Sequence, residues 1–305
     1  MTGERRAWLL DASIYIFRAW FSMPDRWYTH EGMPVQAVYG YARFLLDFVA
    51  SRGAHFHGAA AFDESLGSNF RNDIYPAYKS SRELPDDTLA LQLQACRDIT
   101  ELLGIRCYGG PRYEADDYLA TLARLYQRDG LPVTLVTRDK DLGQLMSGAG
   151  DRWWDYAGDV LLDPAAFAEK FGVTPAQFAD YLALVGDPVD DIPGVPGVGA
   201  KTAAALLQVY GSLEHLGQNL DDIPARGFRG GAGLAQRLQE HWPQVLIARQ
   251  LTGLEKNVPG LRSAPEFQLD ASNLAALAAY LDELNLGGPL TRRCAELASK
   301  VAQPC

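Results

Sequence analysis

Residues 132–145 read PVTLVTRDKDLGQL. An apolar run gives way to Asp139 and Asp141 and then to helical spacing, which predicts a strand, an acidic turn and a helix. The same order stands upstream. RAWLLD (6–11) ends on Asp11, and HGAAAFD (57–63) ends on Asp63. Between them VQAVYGYARFLLDFVASRG has apolar residues at helical spacing and a glycine stop at Gly53. DDTLALQLQACRDITELLG closes on Gly104 and leads to the strand candidate IRCY. EADDYLATLARLYQRDG then reads as a helix with Glu114, Asp116 and Asp117 in its first turn, where the macrodipole favours negative charge. Repetition of this unit predicts an α/β fold: a mainly parallel sheet with helices on both faces, binding its ligand at the carboxyl ends of the strands.

Downstream the character changes. From about Asp163, PAAFAEKFG, TPAQFADYLALVG, KTAAALLQVYG and the 232–254 stretch are helical, with no convincing strand between them. The expected division is an α/β lobe over 1–162, a helical lobe over 163–260 and a C-terminal segment over 261–305. That last segment contains FQLD (267–270) and a helix at 273–285, and is expected to pack back on the sheet lobe.

The chain has 305 residues and is 48% hydrophobic, enough to bury a substantial core in two lobes. No apolar stretch approaches the ~20 residues of a membrane span. MTGERRAWLLDAS is not a secretory signal, and Cys96, Cys107, Cys294 and Cys305 show neither metal spacing nor a disulfide pattern, so a reducing cytoplasm is the expected setting. The net charge of −10 argues against a simple basic patch for nucleic acid. It does not exclude an enzyme whose acids cluster around metal, because bound ions reverse the local sign.

Taken singly, Asp11 or Asp63 could be an ordinary helix cap, and EADD could be capping alone. Several carboxylates on one sheet edge would repel each other unless cations neutralise them. Oxygen-only donors suit Mg²⁺ or Mn²⁺, and two such ions ~3.5–4 Å apart form a clamp for in-line attack on a phosphodiester. DKD (139–141) and DPVD (187–190) can each turn a pair of carboxylates toward one site.

The glycine-rich stretch GVPGVGAKT (194–202) is not a P-loop: Ala200 separates the last glycine from Lys201, and no strand is expected in front. It reads better as a tight turn between helices. Gly197 and Gly199 let the backbone approach a ligand, and free N–H groups from Ala200 onward face a phosphate. Such contacts recognise backbone shape and not base sequence. The alternative is a plain helix–helix turn.

Together these motifs resemble the 5′-nuclease family of flap endonucleases and the 5′→3′ exonuclease domain of bacterial DNA polymerase I. PVQAVYGYARFL, AFDESLGSNFRNDIYPAYKSSR, YEADDYLATLA, VTRDKDLGQL and VGDPVDDIPGVPGVGAKTAAALLQVYGSLE follow the family's order, and the likeness runs from RAWLLDAS to LDELNLGG. The resemblance implies a PIN-like nuclease lobe and a helical lobe with a helix-three-turn-helix. With no polymerase segment following, it also implies a free-standing Mg²⁺-dependent enzyme that cuts DNA at 5′ flaps, overhangs or free 5′ ends; a monomer is expected because nothing in the sequence suggests a self-complementary surface. Asp11, Asp63, Glu114, Asp116 and Asp117 would form one metal site and Asp139, Asp141, Asp187 and Asp190 a second, with Mn²⁺ able to substitute. Asp191 stands where many relatives have asparagine and is left out, and Ala12 replaces the family's usual glycine. The arch or gateway segment falls near 76–95. Lys79 and Arg82 would contact the scissile phosphate, Tyr78 would stack on a base, and Arg71 would touch phosphate or pair with an acid. Gly197, Gly199, Lys201 and Thr202 would hold the duplex, with K⁺ on the carbonyls of the 194–199 turn.

His55 and His57 are expected to be structural, as is one of Trp153 and Trp154, the other facing a partner. Two other functions compete with the nuclease: a non-catalytic binder of DNA structure with the same fold, and a small-RNase-like enzyme sharing only the sheet lobe.

Overall fold

The computed structural model describes residues 5–65, 69–82 and 86–301. Leu66, Gly67 and Ser68, Glu83, Leu84 and Pro85 of the expected arch, and Cys305 lie outside these. In chain order, strand β1 (Ala7–Asp11) leads into helices α1 (Ala12–Ser22) and α2 (Gln36–Arg52), and β2 (His55–Ala61) precedes α3 (Phe70–Ile74) and α4 (Asp87–Leu102). Next come β3 (Cys107–Tyr108), α5 (Ala115–Arg128), β4 (Val133–Val136) and the hairpin β5 (Arg152–Asp155) with β6 (Val160–Leu162). Helices α6 (Pro164–Phe171) and α7 (Phe178–Val185) precede the short strands β7 (Gly186–Asp187) and β8 (Ile192–Pro193). The chain continues through α8 (Ala200–Tyr210), α9 (Leu213–Gln218), α10 (Gly231–Thr252), β9 (Glu266–Gln268), α11 (Ala271–Glu283) and α12 (Pro289–Val301).

Contacts divide the chain into two compact units. The first comprises residues 1–64, 83–138 and 256–305; the second comprises 65–82 and 139–255. The contact boundary thus falls before Asp139, whereas composition changes only near Asp163.

In the first unit β1 pairs in parallel with both β2 and β4, and β2 pairs in parallel with β3. Their residues read as unbroken apolar runs because both faces are covered: Leu9, Leu10, Ala59, Ala60, Ala61, Val133, Leu135 and Val136 are fully buried. The order β3-β2-β1-β4 reverses direction after β3. Right-handed crossovers then put α5 on the face opposite α4, which gives the expected two-sided cover. The reversal also makes the carboxyl ends of β1 and β4 the switch point, where open α/β sheets take ligands. From the C-terminal segment, β9 pairs antiparallel with β2, and Glu266 meets His55 at 3.5 Å and His57 at 3.4 Å.

The second unit is largely helical. Two sequence expectations are corrected there. Gly186–Asp187 and Ile192–Pro193 form a small antiparallel ladder where no strand was expected, too short to show a period of two. The helix expected after Asp141 is a 3₁₀ helix, Lys140–Leu145. Trp153 is the inward tryptophan, its Nε1 donating to the Asp139 carbonyl at 2.7 Å. Among the described residues no helix is long and apolar enough to cross a membrane.

Candidate functional site

The acids of the first unit sit at strand ends and at a helix start. Asp11 closes β1 and caps α1: its Oδ1 accepts the Ile14 N–H at 3.3 Å, and its Oδ2 accepts Thr137 Oγ1 at 2.8 Å. Since Thr137 follows β4, that bond lies at the switch point. Capping and a place at the ligand edge therefore coexist in one residue. Asp63 is fixed through its backbone, whose N–H donates to Ser13 Oγ at 2.8 Å and ties the end of β2 to the start of α1. Glu114 is the N-cap of α5 in a capping box with Asp117, whose Oδ2 accepts the Glu114 N–H at 3.1 Å. Asp117 is fully buried, while Asp116 in the same turn is half-buried. Helix α5 packs on β1 and β2, so the elements carrying Asp11, Asp63, Glu114 and Asp116 are neighbours.

Two acids of the second unit, Asp141 and Asp187, converge on a lysine. Asp187 Oδ1 caps a 3₁₀ turn by accepting the Val189 N–H at 3.0 Å, and its Oδ2 accepts Lys140 Nζ, also at 3.0 Å. The same ammonium lies 3.2 Å from Asp141 Oδ1. That approach lacks hydrogen-bond geometry, so Asp141 Oδ1 is buried beside a cation with no hydrogen-bond partner. Asp139 Oδ1 accepts the Asp141 N–H at 2.9 Å and sets the turn between them. Burial pulls the Lys140 ammonium down, but the Asp141 and Asp187 charges outweigh it and hold it above its ordinary value.

Asp190 instead faces the segment expected to form the arch. Arg82 Nη2 lies 2.5 Å from its Oδ1, and Lys79 Nζ 3.8 Å from its Oδ2. The Tyr78 hydroxyl donates to the same Oδ2 at 3.4 Å. Asp191, in the left-handed conformation at φ 56°, accepts the Ser81 N–H at 2.8 Å. Asp190 and Asp191 thus hold the turn that carries Lys79 and Arg82. Tyr78 is only 3% exposed, with the Lys79 ammonium 5.0 Å from its ring centroid. The ring, expected to stack on a base, is an interior group in this arrangement. Arg71 is likewise interior, donating to the Leu251 and Gly253 carbonyls at 2.9 and 3.0 Å.

The turn at 194–199 is anchored by its valines. Val195 and Val198 are buried, and the Val195 N–H donates to the Leu184 carbonyl at 2.9 Å. Gly197, Gly199 and Lys201 are exposed and Thr202 half-exposed. Gly197 has φ 74°, a left-handed conformation that disfavours any side chain. Gly199 precedes α8, whose first N–H groups have no intrahelical acceptor.

Among the described residues no three His, Cys, Asp or Glu side chains are drawn together as a preformed metal cluster. What is drawn together fits a divalent cation. The donors are carboxylate oxygens, Asp141 Oδ1 is buried without a hydrogen bond, and Lys140 already places one positive charge between Asp141 and Asp187. Sequence reasoning passed over Lys140 inside DKD, as it did Ser13 and Thr137; their only local signal is a polar residue within two positions of a strand-end acid.

This cluster has a pH signature. Burial, and then the Asp139 charge, push Asp141 up to about 7. Between about pH 4, where a free carboxyl titrates, and pH 7 the folded chain holds a proton that the unfolded chain has released. This contribution to stability therefore falls as pH rises through that window. The metal-free protein is expected to lose roughly a few degrees of Tm from pH 5 to pH 8 relative to Asp141→Asn, with a divalent cation recovering part of the loss at pH 8. Identical pH profiles for the two proteins would contradict this account.

The 5′-3′ exonuclease N-terminal resolvase-like domain matches residues 6–172, and the 5′-3′ exonuclease C-terminal SAM-fold domain matches residues 173–275. The chain is 39% identical over 255 residues to DNA polymerase I of Mycobacterium bovis, covering 82% of this chain and 27% of that protein. It is 36% identical over 290 residues to the thermostable DNA polymerase I of Thermus thermophilus, covering 93% of this chain and 32% of that protein. The chain thus spans about a third or less of the length of these relatives. Among solved structures, the T5 D15 protein co-crystallised with metal ions has a TM-score of 0.64 at 18% identity, covering 96% of this chain and 100% of that one. The catalytic core of Rad2 in complex with DNA substrate has a TM-score of 0.63 at 16% identity, covering 98% and 93%. At such identities the likeness is one of fold.

Proposed function

Because the chain belongs to the 5′-3′ exonuclease family, with its resolvase-like and SAM-fold domains, we propose that it is a structure-specific 5′-nuclease hydrolysing DNA at flaps, overhangs or free 5′ ends. The observation that carries this reading is the meeting of Asp141 and Asp187, from separate segments, on one positive charge. A purely structural ion pair would need one acid; a second buried acid beside the first is costly unless more positive charge arrives.

In this reading Asp11, Asp63, Glu114 and Asp116 would hold one Mg²⁺ and Asp139, Asp141, Asp187 and Asp190 another, Mn²⁺ being able to substitute. Asp117, grouped with the first set by sequence, would serve it by capping α5. When bound, the ions supply Lewis acidity at the phosphodiester. The chain's own residues do the rest. Lys79 and Arg82 would leave Asp190 to neutralise the scissile phosphate, with a 3′-hydroxyl and a 5′-phosphate as products. Gly197, Gly199, Lys201 and Thr202 would hold the duplex backbone, with K⁺ on the carbonyls of 194–199. The functional domains in this proposal are those of the sequence expectation, acting in a monomer.

Purified protein, a 5′-labelled flap duplex and Mg²⁺ test it. Cleavage that EDTA abolishes and Mn²⁺ restores is the expected result. Binding without product would support the non-catalytic binder instead, and a preference for RNA in competition would support the RNase-like reading.

A further inference from the structure

We propose that Arg237, on α10, is a second phosphate anchor for the turn at 194–199, so that the duplex backbone is held from two helices and not from α8 alone. The proposal rests on the reading of that turn as the duplex grip.

The turn and the arginine are in direct proximity. A Cβ built on Gly197 would stand 3.5 Å from Arg237 Nε, 3.8 Å from Cζ and 3.8 Å from Nη2. Three guanidinium atoms at nearly equal range mean that the group lies against the glycine, over the surface where a side chain would otherwise project. Gly197 thus serves two ends: it permits φ 74° and leaves the guanidinium its seat. On its own helix Arg237 is four residues beyond Gly233, and side chains of a helix lean toward its N-terminus. A Cβ at Gly233 would stand 3.4 Å from Nη1, so the missing side chain there lets the arginine lie back toward the turn.

Arg237 Nε is buried and has no hydrogen-bond partner. That sets it apart from the structural arginines of the same unit. Arg71 gives Nε and Nη2 to two carbonyls, and Arg249 gives Nε to Asp180. A buried donor without an acceptor is costly, and the chain around Arg237 supplies none. What is missing is an acceptor, and a negatively charged one suits a guanidinium best. The group lies beside exposed Gly197, near the N–H groups that open α8 and in the same unit as Lys201. Arg237 as a whole is half-buried, so a phosphodiester oxygen at the turn would meet the N–H groups that open α8 and the accessible part of the guanidinium, while Nε itself stays enclosed. Recognition of this kind ignores base sequence and depends on the spacing of phosphates along the backbone.

Fluorescence anisotropy with labelled duplex DNA, without divalent metal and over about 50–200 mM salt, tests the assignment. Arg237→Ala is expected to raise Kd roughly tenfold and to reduce the slope of log Kd against log salt by about one, with Arg237→Lys between it and the native chain. Its Tm should hold or rise, because an unsatisfied buried donor is removed. Unchanged Kd and slope in Arg237→Ala, while Lys201→Ala weakens binding, would overturn the assignment and leave the turn's reading intact. A fall in Tm of several degrees would make Arg237 a packing residue and overturn it as well. If Lys201→Ala binds like the native chain, or the native chain ignores duplex DNA, the reading of the turn fails first.

Discussion

Asp116→Ala is expected to cut a 5′-flap duplex at least ~10³-fold more slowly than the native chain, a rise of about 4 kcal/mol in the barrier, while binding the DNA as well or slightly better. Asp116 stands in the first turn of α5, half-buried, between the N-cap Glu114 at one remove and the fully buried Asp117 beside it. Its neighbours do visible structural work in the capping box. The cap of the helix is formed by Glu114 and Asp117, so loss of the Asp116 carboxylate should touch metal affinity more than folding. DNA affinity should survive because the groups proposed to hold phosphate are those of the turn at 194–199, and because removing an acid lowers repulsion of phosphate. Asp117→Ala should behave differently, losing about 0.5–2 kcal/mol of stability with the cap. Undiminished hydrolysis by Asp116→Ala would sink the proposed mechanism. Equal Tm losses in both variants would show that the whole helix start is structural.

The second large effect is expected at the arch. Lys79→Ala and Arg82→Ala should each lower the rate of cutting at saturating DNA by about 10²–10³-fold, with a smaller change in Kd, as for groups that meet charge developing in the transition state. In the DNA-free protein both cations pair with Asp190, at 3.8 and 2.5 Å. The arrangement keeps them ordered and partly neutralised, and the turn beneath is secured independently by the Ser81 N–H on Asp191 and by the Lys79 N–H on the Asp190 carbonyl. The double variant should fall short of the product of the two single losses, because the two cations share Asp190 and are proposed to meet the same phosphate. Rapid-quench turnover and anisotropy on the same flap substrate separate the terms. A rise in Kd with no change in the saturated rate would reduce both residues to simple binding contacts.

The same residues show how far the sequence could be read. The runs AWLLD, HGAAA and VTLV became the parallel strands β1, β2 and β4, and Gly53 and Gly104 follow helices at φ 93° and 95°. Each of these rests on periodicity or on one residue's backbone preference, which act over a few positions. The strand-end acids were legible for the same reason: once the strands are placed, Asp11 and Asp63 have nowhere else to be.

The pairing of those acids was not legible. DKD reads as two acids around a lysine, yet only packing could decide that Lys140 reaches Asp187, 47 residues on. Tyr78, quoted in the sequence as a base-stacking ring, proved interior, and Arg71 found its carbonyl partner 180 residues away. The sequence by itself determined the parallel strands β1, β2 and β4 and the strand ends at which Asp11 and Asp63 stand. Tertiary structure alone decided which cation each carboxylate keeps when no metal is bound, because a flexible Lys or Arg can reach in many directions and selects its partner by burial and proximity in space.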